Sequence, residues 1–193
     1  ALLALMYDTG ARVQEMIDLT PESLKIESKP YTIRLFGKGR KTRIIPLVEE
    51  QIVILKRYME ENHLFENHKQ KHPLFFNSRN EKLTRAGVTY ILKTYADMAR
   101  RVNPELIPSS ISCHSLRHSK AMHLLQSGVN IVYIRDILGH VSTQTTDIYA
   151  RADSKQKREA LEKAYLDLVP ENAKKRDWEK NQDLLNWLKS LQQ

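Results

Sequence analysis

The chain has 193 residues, which at ~150 residues per domain indicates one domain with room for an appended helix. Lys and Arg number 31 against 23 Asp and Glu, a formal net charge of +8, and hydrophobic residues make up 41% of the chain, which excludes a disordered protein. The single cysteine, Cys113, excludes an internal disulfide and a cysteine-based zinc finger. The longest apolar run, residues 1–7, is too short for a membrane span of ~20 residues, so we expect a basic, intracellular globular domain.

The chain opens inside an apolar run that predicts a helix over residues 1–7, ended near Thr9-Gly10. A second helix is predicted over about residues 12–19, and Thr20-Pro21 then resembles a helix cap with proline in the first turn. Because the first residue is not Met, we expect an excised domain rather than a complete gene product.

A small β region follows. Alternating polar and apolar residues predict strands near Leu24, over residues 31–35 and over residues 42–47, with the turn residues 37–41 between the last two. Between Lys25 and Arg43 there are seven basic residues and one acid, which indicates a hairpin surface facing phosphates. The alternative is a solvated strand edge protected by lysines.

Most of the remaining chain is predicted to be helical, with a polar loop over residues 63–72. The predicted helix starts and stops are, in chain order, a start at Thr84, a helix from about His114 to Gly128, a helix from Asn130 to Gly139, a start at Thr143, and a long charged helix that ends before Pro170. A last amphipathic segment carries Leu184, Leu185, Trp187, Leu188 and Leu191. We therefore expect a mainly helical α+β fold with a small three-stranded antiparallel sheet that carries a basic hairpin.

Two pairs of residues spaced three apart suggest phosphate chemistry. Arg12 and Glu15 share a helical face, where the carboxylate could aim the guanidinium at a phosphate, although an ordinary surface ion pair has the same spacing. His114 and Arg117 combine an imidazole that can move a proton with a guanidinium that can stabilise negative charge. His114 and His118 could instead be a zinc pair, but the residue after His114 is not the glutamate of that motif and no further ligand is evident. We expect neither a metal nor a cofactor.

Five motifs occur in a fixed order over about residues 1–151. They are Thr9-Gly10-x-Arg12-x-x-Glu15, Gly37-Lys38-Gly39, His114-x-Leu116-Arg117-His118, Leu138-Gly139-His140 and Thr145-Thr146-x-x-Tyr149. In this order they resemble the catalytic domain of the tyrosine recombinase (phage integrase) family. The continuation from Tyr149 to Asp153 looks most like integrases of transposons and other mobile elements.

The resemblance implies a site-specific recombinase or integrase that cleaves and rejoins DNA, without a metal, through a covalent 3′-phosphotyrosyl intermediate. It implies that Arg12 and Arg117 bind the scissile phosphate, with Glu15 orienting Arg12. The other implied catalytic residues are Lys38, which protonates the leaving 5′ oxygen, and Tyr149, the nucleophile. His114 assists in proton transfer and contacts the phosphate, and His140 hydrogen-bonds the phosphate from the opposite side. Ala11 and Cys113 depart from the family's frequent residues without touching a predicted catalytic atom.

Domain organisation and partners follow from the same resemblance. We expect a catalytic domain over residues 1–170 and a tail helix over residues 171–193 that docks in cis or onto a neighbouring protomer. The amino-terminal core-binding domain of the family is expected to be absent, with weaker DNA binding and poor site specificity as a result. Candidate DNA contacts are Arg40, Lys41, Arg43, Arg79, Lys82 and Arg85.

The expected partners are double-stranded DNA, further copies of the chain in a tetramer on paired sites, and accessory DNA-bending proteins. Without DNA we expect a monomer, and the expected location is the cytoplasm of a bacterium, at the nucleoid. Two alternatives stay open: a type IB topoisomerase, which shares the Arg/Lys/Arg/His/Tyr set, and a non-catalytic DNA-binding module. The short chain and the close spacing of His140 and Tyr149 favour the recombinase.

Overall fold

Two short helices, α1 (Leu2–Thr9) and α2 (Val13–Ile17), open the chain in the computed structural model, which describes residues 1–37, 41–140 and 146. Gly10 ends α1 at φ 57°, a left-handed conformation that glycine adopts at little cost. A Cβ at Gly10 would lie 2.7 Å from Cδ2 of Leu138, so this turn also needs the space that glycine leaves. Helix α2 ends at Ile17 and is therefore shorter than predicted. Thr20 precedes a separate turn of 3₁₀ helix over Pro21–Ser23.

The three strands β1 (Leu24–Lys25), β2 (Thr32–Phe36) and β3 (Thr42–Pro46) form one antiparallel sheet in the order β1-β2-β3. Strands β2 and β3 pair with Ile33 opposite Ile45, and the Gly37 N–H donates to the carbonyl of Lys41 at 2.8 Å. The predicted three-stranded antiparallel sheet is therefore confirmed. The hairpin tip, residues 38–40, lies outside the described residues.

Four further helices follow the sheet: α3 (Glu49–Glu61), α4 (Arg85–Val102), α5 (Cys113–Gln126) and α6 (Ile131–Leu138). The predicted caps at Thr84 and Asn130 are confirmed, since each side chain accepts a backbone hydrogen bond, from Gly87 and Val132 respectively. Helix α5 begins at Cys113 behind a Ser112 cap. The predicted start at Thr143, the long helix ending before residue 170 and the tail 171–193 lie outside the described residues.

The main core packs α1 to α4 against one face of the sheet, and a smaller apolar cluster joins α5 to α6. Helix α5 also packs on α1, and α6 packs on β3. These contacts bring the start of α2, the strand β3 and the end of α6 together. In the described part of the chain, no helix is long and apolar enough to cross a membrane. The mainly helical α+β class predicted from the sequence is confirmed.

Candidate active site

The end of α6 gathers three arginines from three different parts of the chain. The backbone carbonyls of the last two residues of α6 and of the residue after the helix each accept a hydrogen bond from a different guanidinium. The pairs are Ile137 with Arg43 Nε at 2.8 Å, Leu138 with Arg117 Nη2 at 2.6 Å, and Gly139 with Arg12 Nη2 at 3.2 Å. A helix C-terminus carries partial negative charge and unpaired carbonyls, so it holds cations. The three guanidinium groups therefore meet at one point.

Arg117 is almost completely buried, with 3% of its surface exposed. Its Nη1 donates to the carbonyl of Gly10 at 2.6 Å, while Nη2 donates to Leu138. Since these are the residue that ends α1 and the last residue of α6, one guanidinium ties both helix ends to α5. A buried charge paired in this way keeps a fixed orientation.

Arg12 is the N-cap of α2 and keeps 42% of its side chain exposed. Glu15, three residues later, accepts from the backbone N–H of Arg12 at 2.7 Å and from its Nη1 at 3.2 Å. The guanidinium is thus held by Glu15 on one side and by the Gly139 carbonyl on the other. Its remaining donors are available to a bound anion.

Arg43 lies in β3 with only 11% of its side chain exposed. Nη1 and Nη2 donate to the two oxygens of Glu15, both at 2.7 Å, and Nε donates to Ile137. The sequence predicts Arg43 as a DNA contact, but the structure directs its guanidinium into the protein. The alternation of Arg43, Ile45 and Leu47 on one face of the strand is the sequence signal for this inward orientation.

Burial raises the pKa of the Glu15 carboxyl, but hydrogen bonds and positive charge from Arg43 and Arg12 outweigh burial and hold that pKa below its usual value. Glu15 therefore stays ionised at neutral pH. One carboxylate, with 4% of its side chain exposed, serves two arginines.

His140 directly follows the end of α6, and its Nδ1 lies 2.9 Å from the hydroxyl oxygen of buried Thr146. Its pKa is lowered from 6.5 to about 4, first by burial and then by the positive charges of its neighbours Arg117, Arg12, Arg43 and His114. The imidazole is therefore neutral at physiological pH. Three sequence-predicted catalytic residues, Arg12, Arg117 and His140, thus lie together at the end of α6. The fourth, His114, contributes to the electrostatic environment of His140.

The exposed His114 ring stacks edge-on against His118 with centroids 4.1 Å apart. Burial, followed by the charges of His114 and Arg117, lowers the pKa of His118. In the described part of the chain, no group of three His, Cys, Asp or Glu side chains could hold a metal ion.

A cavity of about 850 Å³ opens beside these residues. It is lined by Arg12, Gln14, Glu15, Asp18, Phe36, Gly37, Lys41, Thr42, Arg43, Arg85, Arg135, Asp136, Gly139 and His140.

Two of the other predicted DNA contacts, Lys41 and Arg85, line this cavity, and Arg85 Nε donates to Gln14 at 2.9 Å. A third, Lys82, forms an ion pair with Asp18. The fourth, Arg79, does not line the cavity; its backbone N–H donates to Asn77.

Three predicted site residues lie outside the described residues: Lys38, Arg40 and Tyr149.

Known proteins are similar to this chain in sequence. Residues 1–156 match the model of the phage integrase family. The tyrosine recombinase XerA of Pyrococcus horikoshii is 35% identical over 169 residues, 86% of this chain and 54% of that protein. The tyrosine recombinase XerD of Corynebacterium glutamicum is 33% identical over 165 residues, 86% of this chain and 52% of that protein. The chain therefore spans about half the length of these curated relatives.

Solved structures of recombinases and integrases have a fold similar to that of this chain. The XerH site-specific recombinase bound to a palindromic difH substrate, in a post-cleavage complex, matches with a TM-score of 0.68 and 29% identity over 83% of this chain and 44% of that one. The Tn1549 transposon integrase in complex with transposon right end DNA matches with a TM-score of 0.63 over 80% of this chain and 57% of that one; at 20% identity it shows the fold alone. The chain belongs to the phage integrase family and has the fold of a tyrosine recombinase catalytic domain.

Proposed function

We propose that this chain is the catalytic domain of a site-specific DNA recombinase, which cleaves and rejoins DNA through a covalent 3′-phosphotyrosyl intermediate. The observation that carries the proposal is the convergence of Arg12, Arg117 and a neutral His140 at the end of α6, beside a cavity. Clustered cations with fixed orientations suit a phosphodiester, whose transition state carries added negative charge. Related recombinases in complex with DNA support the same substrate for this chain.

In the proposed reaction the phenol oxygen of Tyr149 attacks phosphorus, and the bond from phosphorus to the 5′ oxygen breaks. Tyr149 loses its proton as it attacks, and His114 assists the transfer of that proton to solvent, because a free phenol with a pKa of about 10 is a poor nucleophile. Lys38 donates a proton to the departing 5′ oxygen. Attack by a 5′ hydroxyl on the phosphotyrosine reverses these steps and joins the strand, so the bond energy is conserved.

Arg12 and Arg117 stabilise the charge that develops on the non-bridging oxygens, with help from His114. The neutral state of His140 gives it a defined role. When the Thr146 hydroxyl donates to Nδ1, the proton of the imidazole lies on Nε2, which then donates to a phosphate oxygen. His140 thus contributes a directed hydrogen bond rather than a further positive charge.

Covalent capture tests the proposal without knowledge of the target site. A library of nicked duplexes with randomised sequence is incubated with the chain in EDTA, quenched with detergent, and the protein–DNA adducts are isolated and sequenced. We expect an adduct that survives denaturation, and sequencing shows which duplexes the chain cleaves. Tyr149→Phe abolishes the adduct but not DNA binding, because only the nucleophile is lost.

Tyr133→Phe is the matched control, since Tyr133 is an exposed tyrosine on α6. It retains the adduct. An adduct that persists in Tyr149→Phe would show that the nucleophile is another residue. A DNA complex without any adduct would favour the non-catalytic DNA-binding module, and resealing without transfer to a second duplex would favour a topoisomerase.

The proposed protein partner is a further copy of the chain. We propose a monomer without DNA and a tetramer on paired sites, with the tail 171–193 docking in cis or onto a neighbour. Deleting residues from Ala173 onward and measuring the mass in solution, with and without DNA, tests this. Unchanged mass and unchanged assembly on DNA would exclude docking in trans. A role in integrating or excising a mobile element stays a prediction.

A further inference from the structure

Arg43 is held by the protein far more completely than Arg12, its neighbour at the end of α6. Arg12 keeps 42% of its side chain exposed, whereas Arg43 keeps 11%, and each of its three nitrogens already donates to a protein oxygen. These three hydrogen bonds fix the orientation of the Arg43 guanidinium within the protein. Its contacts join three elements: its own strand β3, Glu15 in α2 and Ile137 in α6.

We propose that Arg43 is a positioning residue that holds Glu15 and the end of α6 in one fixed arrangement, so that Arg12 and His140 face the same phosphate. This inference rests on the proposed function, because it assigns a role within that same site. Arg43 itself does not touch DNA.

The first step concerns Glu15. Arg43 binds both carboxylate oxygens at 2.7 Å, while the Arg12 side chain reaches one of them at 3.2 Å. A two-point contact between guanidinium and carboxylate fixes the plane of the carboxylate. Glu15 also accepts a hydrogen bond from the backbone N–H of Arg12 at 2.7 Å. The orientation of this carboxylate therefore fixes the backbone of Arg12 and the direction in which its side chain leaves the start of α2.

The second step concerns α6 and His140. Arg43 donates to Ile137 and packs against Gly139, where an added Cβ would lie 2.9 Å from Nη1. Gly139 supplies the carbonyl that Arg12 binds, and His140 follows directly. The Arg43 guanidinium therefore fixes the position of the backbone that precedes His140.

The third step concerns the hairpin. Arg43 is two residues after Lys41, whose carbonyl closes the described base of the hairpin on Gly37. A Cβ at Gly37 would lie 3.3 Å from Oε1 of Glu15, so the base of the hairpin packs closely on the same carboxylate. The described base of the hairpin is thereby positioned by the Glu15 carboxylate.

The test compares Arg43→Met, which keeps the apolar stem and removes the charge, with Arg43→Lys, which keeps the charge but not the two-point contact. Adduct formation on the captured target is measured as a rate against pH, together with the DNA affinity of each variant. Arg57→Met is the control, since Arg57 is an 81% exposed arginine on α3. We expect a loss of about 10- to 100-fold in rate for Arg43→Met, as for removal of a hydrogen-bonded charge, little change in affinity, and no loss for Arg57→Met.

The pH profile separates positioning from a general loss of structure. Without Arg43 the buried Glu15 loses its main source of positive charge, so its pKa rises and it becomes protonated as the pH falls. The Arg43→Met rate should therefore fall more steeply toward acid than the wild-type rate. Besides Arg43 and Glu15, the charged or titratable groups that line this cavity are Arg12 and Asp18 at the two ends of α2, Lys41 beside β3, Arg85 from α4, Arg135 and Asp136 from α6, and His140 after α6.

Glu15→Gln added to Arg43→Met removes the titrating group, so the extra pH dependence should disappear. Arg43→Lys should restore the pH profile more fully than the rate. Equal loss at every pH in Arg43→Met, or a rate equal to the wild type, would overturn the proposal.

A second measurement is independent of catalysis. Carboxyl NMR of Glu15 should show a higher pKa in Arg43→Met than in the wild type, and an unchanged pKa would overturn the proposal. If the wild-type chain forms no adduct, the proposed function fails, and this NMR comparison alone decides the role of Arg43.

Discussion

The neutral state of His140 makes the stability of the protein depend on pH in a defined window. In the unfolded chain the imidazole binds a proton near pH 6.5, whereas in the folded protein it does so only near pH 4. Between these values the unfolded state binds more protons, so the free energy of unfolding falls as the pH is lowered through this window. The loss begins near the higher pKa and is complete below the lower one.

The magnitude follows from the pKa difference. A shift of about 2.5 units at 1.36 kcal/mol per unit corresponds to roughly 3 kcal/mol. Because His140 is only partly buried, water screens the neighbouring charges, and we expect about 1–2 kcal/mol to be measured.

Urea unfolding of the wild type and of His140→Gln, over a series of pH values, measures this contribution. Gln keeps a polar group near Thr146 but does not titrate, so the other ionisable groups, including His118, largely cancel in the difference between the two proteins. The stability of the wild type relative to His140→Gln should decrease from about pH 6.5 to about pH 4. A difference that is constant over this range would refute the reasoning.

Three further changes test packing by urea unfolding, two of them at the site and one on α3. Gly139→Ala should cost about 1 kcal/mol more than Gly128→Ala, because both glycines have positive φ but only Gly139 is crowded, by Arg43; equal losses would contradict this. Arg117→Lys should destabilise by about 2 kcal/mol, since an ammonium cannot reproduce both carbonyl contacts, and an unchanged midpoint would contradict it. Gln51→Met should stabilise by about 1 kcal/mol, because the buried Gln51 amide nitrogen has no acceptor in the described structure; destabilisation would contradict it.

Local signals in the sequence were sufficient to predict the turns that shape the site. Gly10 and Gly139 end helices in the left-handed conformation, and Asn130 caps α6, because each effect depends on one residue and its immediate neighbours. The five motifs in order predicted the family, which the comparisons confirm. The proposed catalytic roles of the individual residues stay predictions.

Long-range partners could not be predicted in the same way. In a count of charges along the sequence, Arg43 is one more basic residue of the hairpin. In the structure, a backbone carbonyl of α6, more than 90 residues away, accepts one of its hydrogen bonds. Nothing local indicates that the acceptors for Arg12 and Arg117 are backbone carbonyls of that same turn. Carbonyls have no sequence signature, so only the packing of α6 on β3 shows where they lie.

Holding three guanidinium groups on backbone carbonyls has a consequence for how strongly the site attracts anions. If three acidic side chains held them, the site would be close to electrically neutral and would offer a polyanion little. Carbonyl dipoles orient cations without cancelling their formal charge, and two of the three guanidinium groups, those of Arg12 and Arg43, share the single carboxylate of Glu15. The cluster therefore keeps a positive field, and its affinity for a polyanion should weaken as salt screens that field.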